Sequence, residues 1–358
     1  MDVQVVVPFR ERCGINDYAA LLAAHLPGTA RLRHTLNPAH PACDILHVQF
    51  EPTLFRQGGQ SCLPVLKKCR ARARVVTVHE VYEINPFVAP MPEGNGPLNA
   101  LRRLKYRLSH RLVLREDTFA ARNFFVDAVI VHTNFARRIL LQRGASGECI
   151  HVLPHPVFPL PPGDSSDPSA VDGKKTILVF GFLSPANDYA MLLKAFARVR
   201  DRARLIIAGA ARRMEDRDLE ETLTREIEKQ GLSREVERIG YVEPNGLAAL
   251  FNRADLFVSP AVIKCGSGTL ARALGAGLPA VAPDLPYVQE INAEVPGCVA
   301  AYRAGDSVAL AACLETLLEP DAACAARERV RTYAEKHSLA AFAKAHAQLY
   351  GRLLEGPC

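Results

Sequence analysis

The run Lys264–Ala282 holds residue types that suit anion chemistry. Gly266, Ser267, Gly268 and Thr269 form a small, polar lead-in to a helix of good formers, Leu270 to Leu274. A helix that starts this way leaves its first backbone N–H groups accessible, and these groups and the helix dipole attract phosphate above all. Lys264 can add a charge, and Ser267 and Thr269 two hydroxyl donors. Gly277 is placed to end the helix in a left-handed conformation, Pro279 blocks its continuation, and Ala280–Ala282 reads as a buried strand. An ordinary capped helix of an α/β domain fits the same residues.

Other polar residues stand at the ends of apolar runs, where parallel sheets present ligand-binding groups. Val75–Glu80 places His79 directly after a buried strand, and Asp44–Glu51 ends on the carboxylate of Glu51. His155 follows the run His151–Pro154. Two histidines and a glutamate at strand ends of one domain point to a polar active-site floor, although a lone histidine there is commonly structural. The first strand leads through Pro8–Tyr18 into a helix, where Gly14 allows close backbone approach and Asn16 or Asp17 can cap. The sequence contains no GxGxxG dinucleotide fingerprint, no GxSxG nucleophile elbow and no GxxxxGK[ST] phosphate loop.

The elements that must carry these residues alternate strand with helix. Strands are predicted over 3–7, 45–48, 75–78, 128–131 and 151–153, then over 177–180, 204–208, 236–239, 256–258 and 280–282. Helical patterns cover 18–25, 135–143, 189–200, 219–230 and 246–252. Near-continuous apolar strands in such alternation imply parallel sheets covered on both faces. The segment 159–174, rich in Pro, Ser, Gly and Asp, reads as a linker. The expected organisation is therefore an α/β chain of two Rossmann-like doubly wound domains facing across a cleft. They span 1–158 and 175–337, and a final helix over 338–358 packs back toward the first.

With 358 residues, 49% of them hydrophobic, the chain can bury two cores. A net charge of +6 suits an anionic ligand or membrane surface and is too modest to argue nucleic acid. The ten cysteines form no CxxC pair and no zinc spacing, which reads as free thiols in a reducing cytoplasm. The start reads as a first strand and not as a signal peptide, and no run of 18 apolar residues occurs. The stretch Leu101–Arg115 is basic and amphipathic, with Leu101, Leu104, Leu108 and Leu112 on one face. It suits either an anionic membrane surface or packing against its own domain.

These residues together resemble the retaining glycosyltransferases of family 4, which have the GT-B fold, nearly end to end. The stretches 13–18, 44–51, 75–80, 127–133 and 151–155 match the acceptor half, and 180–185 opens the donor half as in that family. The stretch 254–260 followed by 266–269 and 273–282 is the most specific, and in the family it is the donor-nucleotide site. The resemblance implies a nucleotide-sugar donor, UDP- or GDP-linked, bound as substrate with no cofactor and no metal required. It implies a glycan or lipid-linked acceptor and retention of configuration. The matching positions give His79, His155 and Glu51 to catalysis, and Gly14, Asn16, Gly181, Tyr241, Lys264, Gly266, Ser267, Gly268, Thr269 and Arg272 to donor binding.

The chain also departs from the family pattern. Lys264 and Arg272 stand where the family carries two glutamates, and the loop 181–188 has no cation where the family supplies an arginine and a lysine. Pro156 follows His155 where the family commonly has glycine. One account moves the positive charge that stabilises a leaving diphosphate from one wall of its pocket to the other. The alternative is a GT-B module that has lost catalysis and binds a glycan, nucleotide or partner protein. The expected location is the cytoplasm, at the inner face of the membrane if the basic stretch binds lipid.

Overall fold

Short runs of Val, Ile, Leu and Ala become strands buried on both faces, and the helices between them cover those faces. The computed structural model describes residues 1–8, 13–51, 56–57, 60–61, 63–81, 101, 104, 126–160, 173–211 and 218–356. The chain divides into two units, Met1–His155 with Leu339–Cys358, and Pro156–Ser338.

The first unit contains β1 (Asp2–Val6), α1 (Gly14–His25), β2 (Thr29–Arg33), β3 (Cys43–Phe50) and a small antiparallel hairpin of β4 (Arg56–Gln57) and β5 (Gln60–Ser61). It continues with β6 (Ala71–Val78), β7 (Ala128–Val131), α2 (Asn134–Gln142) and β8 (Ile150–Val152). Its six-stranded sheet has the order β2-β1-β3-β6-β7-β8, parallel throughout. The order reverses at β1 and β3, which is where such sheets open a crevice for ligands.

The second unit contains β9 (Lys175–Phe180), α3 (Tyr189–Phe196), β10 (Ala203–Ala208), α4 (Asp218–Lys229), β11 (Val236–Ile239), α5 (Leu247–Asn252) and β12 (Leu256–Val258). It ends with α6 (Gly268–Gly275), β13 (Ala280–Pro283), α7 (Pro286–Glu294), β14 (Val299–Tyr302), α8 (Ser307–Leu317) and α9 (Pro320–Lys336). Its parallel sheet runs β11-β10-β9-β12-β13-β14, with the switch point between β9 and β12. Ile177, Val179, Leu205 and Ile207 pack on one face, Leu178, Ile206 and Phe257 on the other. This alternation is the two-residue period of a strand buried on both sides.

The last helix, α10 (Leu339–Glu355), belongs to the first unit. Val157 and Phe158 are buried, and Val157 joins the core of the second unit, so the division falls at His155–Pro156 and not after residue 158. Residues 161–172 of the expected linker lie outside the described residues, as do 102–103 and 105–115 of the basic stretch. Strands β2 and β14 were not expected. β2 is an edge strand, Thr-Ala-Arg-Leu-Arg, whose exposed side chains give it no apolar run. Helix α1 begins at Gly14 with Cys13 as its cap, so Asn16 and Asp17 lie inside the first turn and do not cap it.

Candidate active site

The first unit builds a polar stripe across a sheet face that would otherwise be apolar. Residues at i, i+2 and i+4 of a strand share a face, so His47, Gln49 and Glu51 line up along β3. The register pairs Gln49 with Thr77 on β6 and Thr77 with Ile130 on β7. Thr77, His79 and His132 therefore lie on that same face. His47, Gln49, Thr77 and His346 are wholly buried, and Glu51 and His132 nearly so. The stripe widens toward the carboxyl edge, where β3, β6 and β7 end in Glu51, His79 and His132.

Tyr18 of α1 is the hub of this face. Its ring lies 4.8 Å from that of His79, 5.3 Å from His132, 5.4 Å from His155 and 5.0 Å from Phe342. Helix α10 supplies Phe342, His346 and Tyr350, one helical stripe at intervals of four residues. Tyr350 is hydrogen-bonded to His47 at 2.6 Å, and His47 to Thr77 at 2.7 Å. His79 Nε2 lies 2.9 Å from Gln49 Oε1, and His79 Nδ1 lies 3.4 Å from His132 Nε2.

Burial holds these imidazoles neutral. It brings His132 and His346 down to about 4, each partly offset by its own hydrogen bond to a backbone carbonyl. His47 lies well below the ordinary histidine range for the same reason, reinforced by His346 and His132. His79 keeps some exposure, yet desolvation first and then His132, His155 and His47 push it well below that range. The hydroxyls of Tyr18 and Tyr350 are pushed far up by burial. At neutral pH the buried imidazoles of this face are uncharged donors and acceptors, and His79, half-buried, stands at its carboxyl edge. No group of three or more His, Cys, Asp or Glu with metal-holding geometry occurs among the described residues.

The second unit builds its site at the β9/β12 switch point. Ser267 caps α6, its Oγ accepting from the Leu270 N–H at 3.2 Å and lying 3.0 Å from Thr269 Oγ1. Gly181 (φ +136°) follows β9, and a Cβ there would stand 3.0 Å from Thr269 Cγ2. Gly209 (φ +148°) follows β10, and a Cβ there would collide with the Gly181 carbonyl oxygen. Backbone thus passes close to backbone beside the start of α6. The loop after Gly181 is tied to the segment after β12 by Asp188 N–H to Pro260 (2.9 Å) and Val262 N–H to Ala186 (2.8 Å). At its far end α6 closes at Gly277 (φ +72°), with the Leu278 N–H donating to Ala273 at 3.1 Å, as the sequence predicts.

The structure gathers Glu51 and His79 on one face and joins His155 to them through Tyr18. Gly14 and Asn16 sit in the first turn of α1, the helix that carries Tyr18. In the second unit Gly181 meets Thr269, with Ser267 and Gly268 beside it. Tyr241 stacks on Phe182, ring centroids 6.3 Å apart, and so stands next to Gly181. Lys264 and Gly266 lie in the loop before α6. Arg272 is turned elsewhere: its guanidinium lies 4.8 Å over the Phe158 ring, a cation–π contact on the body of the helix and not at its start. Sequence reasoning missed Tyr18, His47, Gln49, Thr77, His132, His346 and Tyr350. The alternation of His47, Gln49 and Glu51 within an apolar strand was the available signal.

Comparison with known proteins places this fold. Two Rossmann-like parallel units with helices on both faces form the GT-B architecture, and the solved structures similar to this chain are GT-B glycosyltransferases. Residues 174–320 match the family model described as Glycosyl transferases group 1. Sucrose-phosphate synthase from Thermosynechococcus elongatus is similar at TM-score 0.74 and 14% identity, covering 100% of both chains. Anabaena HepE, in complex with UDP, gives 0.68 and 15%, covering 98% of this chain and 100% of its own. WaaG, a glycosyltransferase involved in lipopolysaccharide biosynthesis, gives 0.67 and 14%, covering 98% and 99%. A search of curated protein sequences gave no match.

Proposed function

We propose that the protein is a glycosyltransferase that moves a sugar from a nucleoside diphosphate donor, UDP- or GDP-linked, to an acceptor hydroxyl. Configuration is retained, no metal is required, and the acceptor is a glycan or lipid-linked glycan of a surface polysaccharide or glycoconjugate. The observation that carries this reading is the glycine-constricted start of α6 at the switch point of the second unit, inside the stretch matched by the glycosyltransferase model. The support for a uridine donor is that HepE is crystallised with UDP and with UDP-glucose.

The donor diphosphate sits on the N–H groups opening α6, with the Thr269 and Ser267 hydroxyls and Lys264 as further donors. These groups stabilise the charge that develops on the leaving diphosphate. The Ser267 oxygen already accepts from Leu270, which leaves its O–H to donate. On the first unit, His79, Glu51 and His155 take the sugar and acceptor side as uncharged or acceptor groups. The protein works in the cytoplasm, and the segment 101–115 holds it to anionic lipid. No helix among the described residues is long and apolar enough to cross a membrane.

A second reading, a GT-B module that binds without turnover, is favoured by one observation: the 181–188 loop has no cation, and Arg272 stacks on Phe158 on the body of α6 and not at its start. Release of nucleoside diphosphate from a panel of UDP- and GDP-sugars, with glycan and lipid-linked acceptors, separates the two. Turnover supports the first reading, and binding without release supports the second. His79→Ala is expected to lower kcat by about 100-fold or more.

A further inference from the structure

Two buried hydrogen-bond chains run through the polar face of the first unit, and each ends on a backbone carbonyl, which can only accept. The first ends at Phe342. Its carbonyl lies 2.9 Å from His346 Nδ1, so that nitrogen carries the proton. A neutral His346 then has a bare Nε2, which faces the Tyr18 hydroxyl at 3.5 Å. Tyr18 donates to it. Beside this pair, His47 lies between the Thr77 hydroxyl, 2.7 Å from Nε2, and the Tyr350 hydroxyl, 2.6 Å from Nδ1.

The second chain ends at Leu153, whose carbonyl lies 2.9 Å from His132 Nδ1 and places the proton there. The bare His132 Nε2 faces His79 Nδ1 at 3.4 Å. Two bare nitrogens in that position would repel, so His79 Nδ1 carries a proton. His79 Nε2 is then bare beside the Gln49 carboxamide at 2.9 Å. The satisfied arrangement turns the carboxamide nitrogen toward His79 and its oxygen toward His47, whose Nε2 lies 3.1 Å away.

We infer that His132 is a positioning residue that fixes His79 as its Nδ1–H tautomer, leaving Nε2 as the accepting nitrogen. The consequence for catalysis rests on the glycosyltransferase reading; the tautomer itself does not. In this arrangement His79 Nε2 accepts from Gln49 and Nδ1 donates to His132, so if His79 serves the transferring sugar it does not do so as an acid.

The test is a long-range proton–nitrogen correlation spectrum of the full chain labelled with 15N-histidine, near pH 7.5, assigned by single substitutions. His79 and His132 should both show a protonated Nδ1 and a bare Nε2. His132→Asn keeps the donor to Leu153 but removes the acceptor facing His79, and should move the His79 proton to Nε2. His132→Gln restores an acceptor at that distance and should return the proton to Nδ1. A wild-type His79 protonated at Nε2, or at both nitrogens, overturns the inference, and so does an unchanged tautomer in a folded His132→Asn variant. If that variant fails to fold, the wild-type spectrum alone decides. Donor turnover is measured separately: the expected tautomer without turnover leaves this inference standing and removes the transferase reading. With turnover, His132→Asn should lower kcat about 10-fold or more with little change in KM, and His132→Gln should recover it.

Discussion

Thr77 is a single hydroxyl in a β-strand, wholly buried and 2.7 Å from His47 Nε2. Thr77→Val keeps the shape and removes that buried bond. The expected loss is about 1–3 kcal/mol in urea unfolding. Gly209→Ala has a different cause. The new methyl would meet the Gly181 carbonyl oxygen, backbone against backbone at a positive φ, so the variant should fail to accumulate as soluble protein or lose ~3 kcal/mol or more. Much of this residue-level detail was within reach of the sequence. Glu51, His79 and His155 stand directly after apolar runs, and the Gly-Ser-Gly-Thr lead-in announces a helix start. The partners His346 and Tyr350 were not legible, because they reach His47 across about 300 residues of chain and no local pattern encodes that meeting. The Arg272–Phe158 contact was not legible for a related reason: the two residues lie far apart in sequence.

At the scale of elements, α10 decides whether the polar face of the first unit is closed. Phe342, His346 and Tyr350 cover Tyr18 and His47 from one side of the helix. A chain ending at Ser338 would expose that stripe and strand the Tyr18 hydroxyl and His47 Nδ1. Limited proteolysis should then cut the first unit rapidly while leaving the second unit resistant. Equal resistance in both units would show that α10 is dispensable. The interior strands were readable within a residue or two at most ends, since a strand buried on both faces is a plain aliphatic run. Edge strand β2 escaped because Thr29, Arg31 and Arg33 interrupt it and leave no apolar run. Helices α7, α8 and α9 were likewise not anticipated; α8 and α9 are rich in alanine and lack strong amphipathic contrast.

For the whole molecule, the burial of neutral histidines sets a pH dependence. Each ring has a folded-state pKa below its ordinary value of 6.5, so the unfolded chain takes up protons first as pH falls. The stability they contribute is whole above about pH 6.5. It is lost progressively as pH drops from about 6.5 to about 4 for His132 and His346, and the lowered His47 and His79 add to the loss in the same direction. The melting temperature of the first unit should therefore fall between pH 7 and pH 4, and a His346→Leu variant should fall less steeply. The division of the chain into two parallel-sheet units was legible from strand–helix alternation. The return of the C-terminus to the first unit is a matter of packing, and the packing is what supplies half of the polar face.

The central claim is that the start of α6 holds the diphosphate of a nucleotide sugar, and calorimetric titration with UDP and GDP tests it most directly. Gly268 is exposed at the first position of the helix. Gly268→Asp adds a carboxylate that the helix dipole welcomes and a phosphate would not. The account predicts that the wild-type chain binds one of the two nucleotides, and that the variant melts no lower yet binds at least ~10-fold more weakly. Equal binding by a folded variant, or no binding of either nucleotide by the wild-type chain, would contradict it.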